Sequence, residues 1–136
     1  MRIWVGAQKP RMLALIGRSA GGWVCALNIY AAPEDVRRSQ RIIDAAAADA
    51  GRHESDIRRL YNVVGSIGPQ VGGQGLNGPA SVWVETLTAW VSDLGFDTFV
   101  FWPTATSEQQ VRLFAEDVVP QVRALVNASS TRSTTC

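Results

Sequence analysis

The hydrophobic and polar positions of this chain alternate between short apolar runs and stretches with a period near four. Arg2-Ile3-Trp4-Val5-Gly6 reads as a short β-branched and aromatic strand closed by a glycine. Over Pro10–Arg18 the period lengthens: Met12, Leu15 and Ile16 fall on one face, and Pro10 suits a first helical turn. Gly21-Gly22 turns the chain into a second strand, Trp23–Leu27. Pro33 opens a second helix, with Glu34 and Asp35 where the helix dipole favours carboxylates. Val36, Ile42 or Ile43, Ala46 and Ala50 form its buried face, and Gly51 caps it.

Arg58–Gly65 reads as a third strand. Six glycines lie between Gly65 and Gly78, and this density predicts a long flexible loop. After Pro79, Trp83, Leu87, Trp90 and Leu94 follow helical spacing until Gly95 ends the pattern. Phe96–Trp102 is almost wholly apolar, as in a strand covered on both faces. Ser107 to Gln110 has capping-box spacing for a last helix, with Val111, Phe114, Val118 and Val122 inside. Pro120 is expected to kink or divide that helix. The polar Ser/Thr-rich stretch 127–136 reads as a disordered tail, leaving residues 1–126 as the folded domain.

The order is therefore four successive βα units, an α/β pattern that calls for a parallel sheet with right-handed crossovers. Four such units make half of an eight-stranded TIM barrel, but the order alone fits a small open sheet equally well.

Composition narrows the function classes. Thirteen basic and twelve acidic residues, with no basic cluster, argue against a nucleic-acid surface. No apolar run approaches the length of a membrane span, and no charged-then-apolar leader opens the chain. Two cysteines make no disulfide framework, so a reducing compartment, the cytoplasm, is expected. Cys25 reads as a small buried hydrophobe. His53, the single histidine, sits in a polar turn and cannot form a His-pair metal site. No catalytic nucleophile and no metal cage can be assigned.

A set of short stretches is more specific. Ile3-Trp4-Val5-Gly6-Ala7, Pro10-Arg11-Met12-Leu13-Ala14-Leu15 and Ala20-Gly21-Gly22-Trp23 resemble the luciferase-like monooxygenase family, especially its actinobacterial members often assigned to coenzyme F420. Gly51-Arg52, Ile57-Arg58-Arg59-Leu60-Tyr61-Asn62, Trp83-Val84-Glu85, Gly95-Phe96-Asp97-Thr98-Phe99 and Phe114–Pro120 continue the likeness in order. It runs from Arg2 to about Leu125, apart from the glycine-rich loop. Two departures stand out. Gly21 occupies a position where the family usually has an acidic residue, and His53-Glu54 follows Gly51-Arg52 where the family often has Asp-Pro.

The resemblance implies the C-terminal half of a (β/α)8 barrel, strands five to eight. It implies FMN or F420 as cofactor, hydride transfer or oxygen activation, and a small organic substrate, with the cofactor carrying the chemistry. The fold builds its site from all its strand ends, so little or no activity is expected of this half alone. The alternative is a non-catalytic half-barrel whose open edges pair in a homodimer or with a separately encoded N-terminal half. A third reading is an unrelated small sheet that binds a phosphorylated ligand.

Expected cofactor contacts are Gly6, Ala7, Gln8 and Arg11, after the first strand. A glycine there would let backbone N–H groups approach a phosphate at a helix N-terminus, and Arg11 could pair with it. Gly22 and Trp23 are a second candidate, Trp23 reading either as core or as a ring stacked on the cofactor. Trp102 could border the pocket, and the glycine-rich loop could be a lid or simply disordered.

Overall fold

The structure is a computed structural model and describes residues 1–133; Cys136 lies outside the described residues. The chain forms two compact units, one of Met1–Val63 with Leu94–Val100, the other of Val64–Asp93 with the chain from Phe101 onward.

The first unit contains β1 (Trp4–Gly6), α1 (Pro10–Ser19), β2 (Gly22–Leu27), α2 (Pro33–Asp49) and the opening of β3 (Arg58–Ile67). β1, β2 and β3 are parallel neighbours, with Trp4 opposite Gly22, Gly6 opposite Val24, and Cys25 opposite Tyr61. The register slips between Cys25 and Leu27. The core is built where the two helices cover this ladder. Leu13 and Ile16 of α1 and Val36, Ile43 and Ala47 of α2 are buried. Beneath them Phe96 stacks on Tyr61, with ring centroids 4.4 Å apart, and on Trp23 at 6.0 Å.

Close approach of the two helices depends on Gly17. A Cβ there would lie 2.4 Å from the Ile43 carbonyl oxygen, so no larger residue fits without moving backbone. Arg52 closes the same corner. Its guanidinium donates to the carbonyl oxygens of Gly17 and Ala20, each at 2.7 Å, satisfying acceptors that the end of α1 leaves open. Gly51, at φ 71°, follows α2 in the left-handed turn its sequence position predicted.

The second unit contains the end of β3, β4 (Leu76–Gly78), α3 (Ala80–Leu94, whose last residue belongs to the first unit), α4 (Ser107–Leu113), a π-helical turn (Phe114–Val118) and α5 (Val119–Ser133). β4 pairs in parallel with β3, Gly65 opposite Leu76 and Ile67 opposite Gly78. β5 (Thr98–Pro103) runs beside β3. Asp97 N–H donates to Arg59 O at 3.1 Å in the first unit, and Thr104 N–H to Gly65 O at 3.0 Å in the second. Partners that rise together along both strands are parallel. Trp83 is fully buried, edge-on to Phe101 at 4.9 Å and Phe114 at 6.1 Å.

The βα order expected from periodicity is present, with four differences of detail. Residues 65–78 are not a free loop: β3 continues to Ile67 and β4 pairs with it. The glycines permit this, since a Cβ on Gly65 would lie 1.8 Å from Leu76 O. Ser107 does not begin a capping box: Thr106 is the N-cap without a side-chain bond, and Gln110 is buried. Its Oε1 accepts from Ile67 N–H at 2.6 Å and its Nε2 donates to Ile67 O at 2.9 Å. A peptide beyond the end of β5 thus finds both partners in one side chain.

β5 is half-exposed where full burial was expected, because it pairs only with β3 among the described residues. The stretch after Asn127 continues α5 to Ser133 where a disordered tail was expected. Thr131 and Ser129 hydroxyls bond back to carbonyls four residues earlier, which suits Ser and Thr to an exposed helix. The expected break at Pro120 takes the form of the π turn just before it. Proline lacks the N–H that would bond the carbonyl four residues back, so the helical register widens there.

Candidate functional site

β1 ends at Gly6, and the next residues lead straight into α1. Gly6 is exposed, and a Cβ there would meet nothing closer than Val24 O at 3.7 Å. Packing therefore does not require glycine, and the strand end is bare. Ala7 follows, its carbonyl oxygen accepting from Trp23 Nε1–H at 2.9 Å. Gln8 is exposed. Lys9 is the helix N-cap and makes no side-chain cap bond; Pro10 has no N–H to offer, and no acidic residue occupies the first turn. The positive end of α1 is thus uncompensated by its own sequence, with the Arg11 side chain exposed beside it. A cleft of about 350 Å³ opens here, lined by Gln8, Lys9, Pro10 and Leu13 on one side and Asp35 and Val36 on the other.

Gly22 and Trp23 occupy other ground. In the parallel ladder Gly22 lies opposite Trp4, at the strand-start end. A Cβ on Gly22 would sit 2.8 Å from the Trp4 ring, so its missing side chain makes room for that indole. Trp23 is 0% exposed, stacked on Phe96, with its N–H committed to Ala7. A ring buried on this scale has no free face for a ligand, and its effect on the β1 end passes through Ala7. The sequence therefore brought Gly6, Ala7, Gln8 and Arg11 together correctly as neighbours, while Gly22 and Trp23 support them from within the unit.

Gly21 also lies at the strand-start end: its N–H donates to Ile3 O at 2.8 Å and its O accepts from Arg58 N–H at 3.0 Å. A Cβ there would be 2.9 Å from the Arg2 Cβ. The side chain absent at this position would face Arg2, away from the strand C-termini where a parallel α/β fold gathers ligands.

Trp102 closes β5 with 53% of its surface exposed, as a residue at the rim of a site would be. The loop between β3 and β4 is held by Asn77. Its Oδ1 accepts from Ser66 N–H at 3.0 Å, and its Nδ2 donates to Gly72 O and Gln74 O at 3.1 and 2.9 Å. The loop is thus closed on its own base, with Gly72, Gly73 and Gly75 at φ near 90° carrying the turn.

The other titratable candidates have ordinary structural roles. His53 is exposed and caps the turn Glu54–Asp56, its Nδ1 accepting from Ser55 N–H at 3.2 Å. Cys25 is wholly buried, and burial pushes its thiol up to about 12, a nearby Ala26 backbone bond offsetting only part of this. Burial also raises Tyr61, whose hydroxyl donates to Ala31 O at 2.7 Å. Among the described residues no group of three His, Cys, Asp or Glu side chains could hold a metal, and no helix is long and apolar enough to cross a membrane.

Sequence reasoning missed Arg59, a charged residue buried in the start of β3. Its guanidinium donates to Asp44 Oδ1 at 2.6 Å, to the Ile57 carbonyl at 3.1 Å and to Gln40 Oε1, while Gln40 donates to Leu94 O at 2.8 Å. The available signal was an arginine inside an otherwise apolar strand run, which must find acceptors if buried. With Arg52 and Gly17, it shows that several residues carrying the family resemblance hold the fold together and do not line a site.

No protein-family model matches the chain. A 55-residue stretch, 40% of this chain, is 40% identical to phthiodiolone/phenolphthiodiolone dimycocerosates ketoreductase of Mycobacterium tuberculosis, covering 14% of that protein. Among solved structures, the coenzyme F420-dependent tetrahydromethanopterin reductase from Methanopyrus kandleri matches 90% of this chain with a TM-score of 0.75 at 15% identity. An F420-dependent secondary alcohol dehydrogenase, in complex with an F420–acetone adduct, also matches 90% with a TM-score of 0.76 at 12% identity. The chain spans 51% and 49% of those two structures. At these identities the likeness is one of fold. The chain has the parallel α/β fold of these TIM-barrel enzymes over about half their length, as a half-barrel does.

Proposed function

We propose that this chain is the C-terminal half of a luciferase-like oxidoreductase barrel that uses F420 or FMN, and that alone it has little or no turnover. The observation that carries the reading is the fold match over 90% of the chain to two F420-dependent enzymes. The short ketoreductase likeness supports the same redox class. Bound flavin or deazaflavin would supply the hydride chemistry.

The β1 end fits the phosphate-bearing part of such a cofactor. Gly6 leaves the strand end bare without any packing need, and the N-terminus of α1 has no acidic residue or side-chain cap to neutralise it. In this reading the backbone of Gly6 and Ala7, the Gln8 amide and the Arg11 guanidinium contact the cofactor. Trp23 holds Ala7 in place, and Gly22 seats the Trp4 ring below. The partner substrate is a small organic molecule, and no step of this reading involves nucleic acid or a membrane. A cytoplasmic setting belongs to the reading, since the buried thiol of Cys25 is unpaired and calls for no oxidising compartment.

Fluorescence titration of the folded chain with F420 and with FMN tests this. Saturable binding of either, weakened about tenfold or more by Arg11→Glu, is expected. A folded sample that binds neither overturns the assignment of the phosphate site to the β1 end.

A further inference from the structure

Two faces of the chain are apolar, exposed and opposite in charge. The first is on β1 and α1. Among the described residues β1 pairs only with β2, so its other edge is open, with Ile3 and Trp4 exposed along it. On α1, Leu13, Ile16 and Gly17 are buried, while Leu15 lies exposed between Arg11 and Arg18 on the opposite face. Spacing of four and three residues puts these three on one stripe. Residues 1–33 carry four basic side chains, Arg2, Lys9, Arg11 and Arg18, and no acidic one.

The second face is on β5 and α4. β5 pairs only with β3 among the described residues, and Trp102 and Val111 are exposed on it and on the following helix. Residues 97–117 carry four acidic side chains, Asp97, Glu108, Glu116 and Asp117, against one basic, Arg112. Arg112 is itself paired with Glu108 at 3.2 Å, which leaves Glu116 and Asp117 as exposed carboxylates.

We propose that two copies of this chain associate head to tail, the β1–α1 face of each docking on the β5–α4 face of the other. The inference rests on the half-barrel reading above. One open strand edge at each end is what a parallel ladder needs to continue into a second copy. β1, β2, β3 and β5 of two copies make eight strands, the number that closes a barrel. The charge difference sets the direction: basic against acidic attracts, whereas like ends repel, so a head-to-head pair is disfavoured. A twofold arrangement satisfies both contacts at once, and no face is left to propagate a filament. The paired copies then supply the strand ends that one copy lacks.

Light scattering on the full chain without cofactor tests the association apart from the F420 and FMN titration. The expected mass is that of two chains, falling toward one as salt is raised, since exposed charge attraction is screened. Arg2→Glu with Arg18→Glu makes both ends acidic, and Glu116→Lys with Asp117→Lys makes both ends basic. Each variant alone is expected to dimerise at least about tenfold more weakly, and an equimolar mixture to recover a heterodimer. Circular dichroism of each variant shows that loss of the dimer is not loss of the fold. A wild-type monomer overturns the proposal, as does a dimer indifferent to both charge reversals or a mixture that fails to recover. Cofactor binding by a monomer would overturn this inference and leave the oxidoreductase reading standing; a dimer that binds neither cofactor would do the reverse.

Discussion

The indole N–H of Trp23 donates to the carbonyl oxygen of Ala7 across 2.9 Å, so a wholly buried ring on β2 holds the peptide that follows β1. The bond links the packed interior of the first unit to the strand end where the cofactor contacts are proposed. Trp23→Phe keeps an aromatic ring against Phe96 but removes the donor. A loss of about 1–3 kcal/mol in urea unfolding is expected, from an unmet carbonyl and a smaller ring. Cofactor affinity should fall in the same variant. Unchanged affinity would show that Ala7 does not depend on the indole.

Gly17 makes a sharper packing test. In a free helix Gly→Ala gains up to about 1 kcal/mol. Here the new methyl would lie 2.4 Å from Ile43 O and 2.8 Å from the Ala46 Cβ. Gly17→Ala is therefore expected to destabilise by about 1–3 kcal/mol, the usual range for overpacking. Thermal unfolding decides the sign, and a rise in midpoint would mean that α1 and α2 can separate at little cost.

Gln110 satisfies both polar groups of the Ile67 peptide from a buried position. Gln110→Leu keeps comparable volume and removes both bonds. About 2–4 kcal/mol of stability should be lost, since a buried N–H and a buried C=O are left without partners. Denaturant midpoints for the variant and parent check this.

Cys25 yields a pH prediction. Burial raises its pKa from 9.0 to about 12, so the unfolded chain ionises the thiol at a lower pH than the folded chain does. Stability is then complete below pH 9 and declines as pH rises from 9 toward 12, because the unfolded state binds fewer protons over that window. Tyr61, raised by the same burial from 10.0, adds to the decline at the alkaline end. In a Cys136→Ser background, Cys25 should resist thiol reagents at pH 8, where about one part in ten thousand is thiolate. Rapid labelling of the folded protein would show that the site opens readily.

What the sequence determined by itself was the order of elements and their parallel pairing. Periodicity depends on neighbours three or four residues apart, and Gly51, Pro10 and Pro33 act on the backbone locally, so these features were readable without the fold. The nearness of Gly6, Ala7, Gln8 and Arg11 was equally local. The tertiary structure decided which of the singled-out residues face a ligand and which face the core. Trp23 and Gly22 are adjacent in sequence to nothing they touch: one is fixed by Ala7 and Phe96, the other by Trp4. Gln110 left its expected capping role because a peptide 43 residues away needed both a donor and an acceptor. Arg59 could be buried only because Gln40, Asp44 and Ile57 converge on it. Such pairings follow from desolvation, which requires each buried polar group to find a partner wherever the chain brings one. No local pattern encodes that partner's identity.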